Sequence, residues 1–145
     1  MGVTVIVNVL LSIKSKYAQQ ILVGNKKFEF RKSFPNREID KIYLYVSYPC
    51  QRIVGYIMSE YVFKSSIPNL KEKCQNEWDG FDVEKTDFDS YFKGKSSGVV
   101  IKIGEVFVFD EWINPYEFEG FKPPQSYYVV DDELEEFILN KIKQP

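Results

Sequence analysis

At 145 residues, with 44% apolar and 17% aromatic content, the chain is long enough to bury a core and has the composition of a globular protein. A net charge of −2 argues weakly against phosphate binding over the whole surface. The absence of histidine excludes Ser-His-Asp and Cys-His catalysis and any zinc site built on histidine. Cys50 and Cys74 have no metal-ligand spacing and form no disulfide framework, so they read as idle thiols of a reducing, cytoplasmic setting; no metal or cofactor is expected. No stretch is apolar for long enough to span a bilayer. The Val3–Leu11 run lacks the basic flank and cleavage site of a signal peptide.

In chain order, the β-branched density of Val3–Ile13 predicts a strand, with Asn8 its odd polar residue. Ser15 is the expected N-cap of a short helix over Lys16–Val23, which turns Ala18, Ile21 and Leu22 to the core and ends at Gly24. Lys26–Lys32 has period two and reads as a strand: Phe28 and Phe30 point one way, Lys27, Glu29 and Arg31 the other. Ser33–Asp40 reads as a polar loop. Lys41–Ser47 and Gln51–Phe63 are strands around a Tyr48-Pro49-Cys50 turn, with Gly55 marking a bulge or a close backbone approach.

Helices are expected over Ile67–Trp78, with Pro68 in its first turn, and over Lys85–Phe92, opened by Asp82 or Thr86 and closed at Gly94. Val99–Phe109 is a strand, with Gly104 a possible bulge or turn, and Asn114-Pro115 opens a helical turn through Phe118. Pro123-Pro124 stiffens the link into a last strand, Ser126–Val130. Asp131-Asp132 then caps a closing helix, Glu133–Lys143, with acids at its start and lysines at its end. Several strands with helices between them imply one α+β domain over residues 1–145, its sheet edges closed by curling into a small barrel.

Charge is unevenly spread. Residues 1–55 hold nine Lys/Arg against three acids, and residues 56–145 hold ten against eighteen, so the first part can supply a positive face. Within it, Gly24, Lys26, Glu29 and Arg31 form a G-x-K-x-x-E-x-R pattern that follows a strand and a short helix and runs into the next strand. Together with Tyr43–Pro49, Ile53-Val54-Gly55, Tyr91–Gly94, Ile101–Gly104 and Pro123–Tyr127, this resembles the signature of ASCH domains across nearly the whole chain.

The resemblance implies a PUA-like, mostly antiparallel β-barrel flanked by short helices, related to PUA, EVE and YTH domains that bind RNA or modified bases in a cleft. It also implies an RNA-linked role, often in the regulation of transcription or translation. Some small ASCH members hydrolyse N4-acetylcytidine, and ribonuclease activity is described for another.

The residues themselves allow a cleft. Lys26 and Arg31 suit phosphate or a base carbonyl, and Glu29 can accept from an exocyclic amine or orient Lys26. Ser12, Lys14, Ser47, Gln125, Ser126 and Tyr127 join them as candidate ligand-binding residues. Tyr127 or Trp112 can stack a base, although core packing is the ordinary fate of such rings. The plain alternative for the motif is a solvated strand face with a Glu29–Arg31 surface pair.

Three functions follow as expectations. One is a module binding single-stranded RNA or a modified nucleotide. Another is an amidohydrolase on an acylated base such as N4-acetylcytidine (or a ribonuclease), with Lys26 and Glu29 as candidate catalytic residues. The last is a domain whose acidic second part binds a protein partner. The amidohydrolase members carry a catalytic threonine where this chain has Glu29, so their mechanism does not transfer intact.

Overall fold

The computed structural model describes residues 5–143; Val3 and Thr4, assigned above to the first strand, lie outside them. The elements are β1 (Ile6–Ile13), α1 (Ser15–Leu22), β2 (Phe28–Arg31), β3 (Glu38–Val46), β4 (Arg52–Ser66), α2 (Ile67–Glu77), α3 (Phe81–Tyr91), β5 (Ser97–Ile113), a 3₁₀ turn at Pro115–Glu117, β6 (Tyr127–Val129) and α4 (Asp132–Lys143).

The six strands form one mixed sheet in the order β2-β5-β4-β3-β1-β6. Only β1 and β3 pair in parallel, because α1 and β2 carry the chain away between them; the other four pairs are antiparallel. The sheet curls into a half-barrel, giving the expected α+β fold.

The half-barrel closes by side chains rather than by a hydrogen-bonded ladder between its edges. From the end of β2, Arg31 Nη2 donates to the Ser12 carbonyl at 2.8 Å and Nη1 to Ser126 Oγ at 3.3 Å. Ser33 Oγ and the Tyr127 hydroxyl lie 3.4 Å apart, and the Phe34 and Tyr127 rings are tilted at a centroid distance of 5.3 Å.

Three apolar clusters fill the molecule. Val9, Leu11, Leu44, Ile57, Val99 and Ile101 pack inside the half-barrel under α1. Leu10, Tyr43, Ile53 and Ile113 pack on the opposite face, beneath Leu134 and Ile138 of α4. The third cluster is mostly aromatic: Phe28 and Phe30 of β2 meet Phe81 and Phe88 of α3, Trp78 and Phe92 just after α2 and α3, and Leu70 and Cys74 of α2. The β2 phenylalanines thus do take a core, but it is the one built by the two inserted helices.

Several boundaries differ from expectation for local reasons. Ser15 is already helical, and Lys14 occupies the N-cap position with extended backbone and no side-chain cap. β2 is shorter than expected, since Lys26 and Lys27 precede it. β3 starts at Glu38, inside the expected loop. α3 starts four residues before Lys85, behind Gly80, where no side chain caps it. β4 and β5 extend together into a long hairpin through polar residues such as Glu105, Asp110 and Glu111, which its exposed face tolerates.

Other signals act as expected. Gly24 takes φ +81° just past α1. Ser66 Oγ accepts from the Asn69 N–H at the start of α2, and Asp131 Oδ1 accepts from the Leu134 N–H at the start of α4. Gly55 is a close approach: a Cβ there would lie 2.1 Å from the Phe107 carbonyl oxygen.

Candidate functional site

The register of the edge strand decides where the motif points. Glu29 pairs with Ile101 and Arg31 with Val99, and directly paired residues share a sheet face. Val99 and Ile101 belong to the core inside the half-barrel. Glu29 and Arg31 therefore face inward. They do so at the seam, where β1, α1 and α3 leave a cavity of about 350 Å³. The plain alternative of a solvated strand face therefore gives way to a nearly buried one, with side-chain exposures of 7% for Glu29 and 11% for Arg31.

The cavity is lined by Ser12, Lys14, Lys26, Glu29, Arg31, Ser47 and Gln125 from the candidate set, joined by Tyr17 of α1, Phe30 of β2, and Glu84, Asp87 and Tyr91 of α3. β1 delivers Ser12 at its end. The Ser47 N–H donates to the Ile13 carbonyl at 3.0 Å, which fixes the end of β3 beside it. Ser126 stands behind the lining as an acceptor for Arg31. Tyr127 does not line the cavity; its ring packs on Phe34 and helps close the seam. Trp112, 55% exposed near the end of β5, also lies outside the lining.

Lys26 is the least expected element. It is 3% exposed, yet its Nζ makes no hydrogen bond or ion pair to any described residue. It sits instead among rings, 4.3 Å from the Phe30 centroid, 5.6 Å from Tyr17 and 6.0 Å from Trp78. A cation–π contact contributes about 0.5–2 kcal/mol. Taking an ammonium out of water costs several kcal/mol. The rings offset only part of that; Nζ keeps its remaining contact with solvent, and an acceptor arriving in the cavity can take the water's place.

Glu29 is half committed. Its Oε1 accepts from the Phe30 N–H at 3.1 Å and lies 3.8 Å from Arg31 Nε, while Oε2 is buried and has no partner. Arg31 Nε is likewise buried without a hydrogen bond. Buried polar atoms are nearly always paired, so these two, closed to solvent behind the cavity wall, leave the Glu29–Arg31 pair under-satisfied among the described residues. Burial raises the Tyr91 hydroxyl above its ordinary pKa of 10.0, with Arg31 pulling the other way, so it stays a neutral hydrogen-bonding group. Its oxygen accepts from the Lys32 N–H at 3.1 Å, which ties the end of α3 to the end of β2.

Glu84, Asp87, Tyr91 and Tyr17 were not singled out from the sequence. Nothing in a local pattern states which face an inserted helix turns toward a cleft. Among the described residues no set of three acidic or thiol side chains is placed to hold a metal ion, and no helix is long and apolar enough to cross a membrane.

Comparison with known proteins agrees with the fold. A family model described as ASCH domain matches residues 11–137. The crystal structure of an ASCH protein from Zymomonas mobilis superposes with a TM-score of 0.79 at 20% identity, covering 92% of this chain and 94% of that one. Two single-substitution mutants of that protein, at a serine and at a tyrosine, give the same TM-score at 18% and 19% identity, covering 92% of this chain and 95% and 96% of theirs. At such identities the likeness establishes the fold. No curated protein sequence matches the chain.

Proposed function

The chain belongs to the ASCH domain family, and on that premise we propose that it is a nucleic-acid-binding module whose cleft takes one unpaired or modified nucleotide of a single-stranded RNA. The observation that carries this reading is Lys26, a residue only 3% exposed whose Nζ bonds to no described residue and which lines a cavity together with Glu29. A base edge offers what these two lack: a carbonyl or ring nitrogen for Lys26 and an N–H donor for Glu29. The volume of about 350 Å³ suits a group of that size, and Tyr17, Phe30 and Tyr91 give it aromatic walls. Lys14 at the mouth, with Lys16 and Lys32 nearby in sequence, supplies charge for the flanking phosphates.

The test is a titration of labelled single-stranded RNA, and of a panel of modified nucleosides, against the intact protein at low salt. Binding is expected to weaken with salt and to fall at least tenfold in Lys26→Met at unchanged fold. Absence of binding at low salt by the unmodified protein refutes the reading.

A second reading, hydrolysis of an acylated base, is favoured by Lys26 and Glu29 sharing one cavity. It is weaker because the cavity hydroxyls, Ser12 and Ser47, have no side-chain hydrogen bond to a lysine or carboxylate that can activate them. Release of cytidine from N4-acetylcytidine by the protein, lost in Lys26→Met, supports hydrolysis over binding alone; no release removes it. Regulation through such binding, and a protein partner for the acidic second part of the chain, remain expectations of the sequence.

A further inference from the structure

The cavity carries more free carboxylate than the binding reading requires. Glu84 is 9% exposed, Asp87 is half-buried beside it one helical turn on, and neither makes a hydrogen bond or ion pair with another described residue. With Glu29 they put three carboxylate residues on the lining. Against them stand three cations that are not equally available. Arg31 spends both terminal nitrogens on Ser12 and Ser126, and Lys14 is exposed at the mouth. Only Lys26 offers a free charge inside. A phosphate drawn into this cavity would meet one ammonium and three carboxylates, in surroundings where charges are poorly screened.

We infer that Glu84 and Asp87 determine specificity by barring phosphate from the inner cavity, so that a nucleic-acid strand enters base first and keeps its phosphates at the Lys14 mouth. This rests on the binding reading above and adds the ligand's orientation and the class it rejects. Helix α3 thus acts as a selective wall, while the β1–α1–β2 motif supplies the contacts for the base. Removing each carboxylate relieves about tenfold of discrimination against an anion, by the Coulomb interaction expected for groups across one small cavity.

The experiment compares the unmodified protein with Glu84→Gln/Asp87→Asn, using a fluorescently labelled single-stranded RNA octamer and two competitors. These are inorganic phosphate, at ionic strength matched with chloride, and an unphosphorylated nucleoside. Neither carboxylate has a protein partner, so the variant is expected to fold, which near-ultraviolet circular dichroism checks. For the unmodified protein, the nucleoside competes and phosphate does no more than chloride. For the variant, the nucleoside still competes and phosphate now lowers apparent RNA affinity at least tenfold.

Direct phosphate titration, read by the tryptophan fluorescence to which Trp78 near Lys26 contributes, is expected to respond in the variant alone. If RNA and nucleoside bind but phosphate competes equally with both proteins, or with neither, the inference fails and the binding reading stands. If RNA binds but the nucleoside competes in neither protein, the strand lies elsewhere and both fail. If the unmodified protein binds no RNA, both fall together.

Discussion

Replacing Arg31 by Met tests the claim that the half-barrel is closed by a side chain. Arg31 makes a short charge-assisted bond to the Ser12 carbonyl (2.8 Å), a long one to Ser126 Oγ (3.3 Å) and a loose pair with Glu29 (3.8 Å). The first is worth about 1.5–3 kcal/mol and the second about 1 kcal/mol at most. Met fills similar volume but leaves the Glu29 carboxylate buried without a cation, and breaking a buried pair costs about 3–5 kcal/mol. These contributions overlap, so the expected loss is about 3–4 kcal/mol, or about 10 °C in Tm for a chain of this size. Urea unfolding followed by circular dichroism measures it. Adding Glu29→Gln removes the stranded charge and should restore about 1–2 kcal/mol. A loss below about 1 kcal/mol, or no recovery in the double variant, refutes the reasoning.

Gly55→Ala should destabilise by about 3 kcal/mol or more in the same assay, because the added Cβ meets a backbone oxygen that cannot swing aside. The Glu77 carboxyl is pushed down to about 2 by hydrogen bonds from Lys73 first, then Tyr61 and Lys102. With its folded pKa below the ordinary 4.5, the stability it contributes is present above about pH 4.5 and is lost as pH falls toward 2. A pH series of urea midpoints should therefore show less loss across that window in Glu77→Gln. Burial pushes the Cys74 thiol up to about 12, so a thiol reagent at pH 8 should label Cys50 in the folded protein and Cys74 only on unfolding. Equal labelling of both in the folded state would contradict the burial.

What the sequence shows of this molecule is its local chemistry. The β1–α1–β2 unit was legible because two periodicities meet at Gly24, and α4 because Asp131 and the charge gradient mark its ends. Alternation in β2 separated Phe28 and Phe30 from Glu29 and Arg31 correctly. It could not say that the charged side faces inward, since that depends on pairing with Val99 and Ile101 some seventy residues away. For the same reason the sequence left Tyr127 open between stacking on a base and packing in the fold, and the structure sets its ring against Phe34 at the seam. The α3 contribution was least legible: neither a side-chain cap at Gly80 nor any signal on Glu84 and Asp87 distinguishes a helix that walls a cavity from one that floats on the surface.

The seam has a consequence for how the protein behaves at high concentration. The two strands that end the sheet are its shortest, four residues in β2 and three in β6. Each therefore offers a stranger chain little backbone to zip onto, and the prolines just before β6 shorten that invitation further. Tying the two ends together with one guanidinium covers what little edge β2 and β6 leave at the seam. A chain that loses the tie should betray itself by clumping as well as by melting early, which light scattering of Arg31→Met during mild heating would reveal.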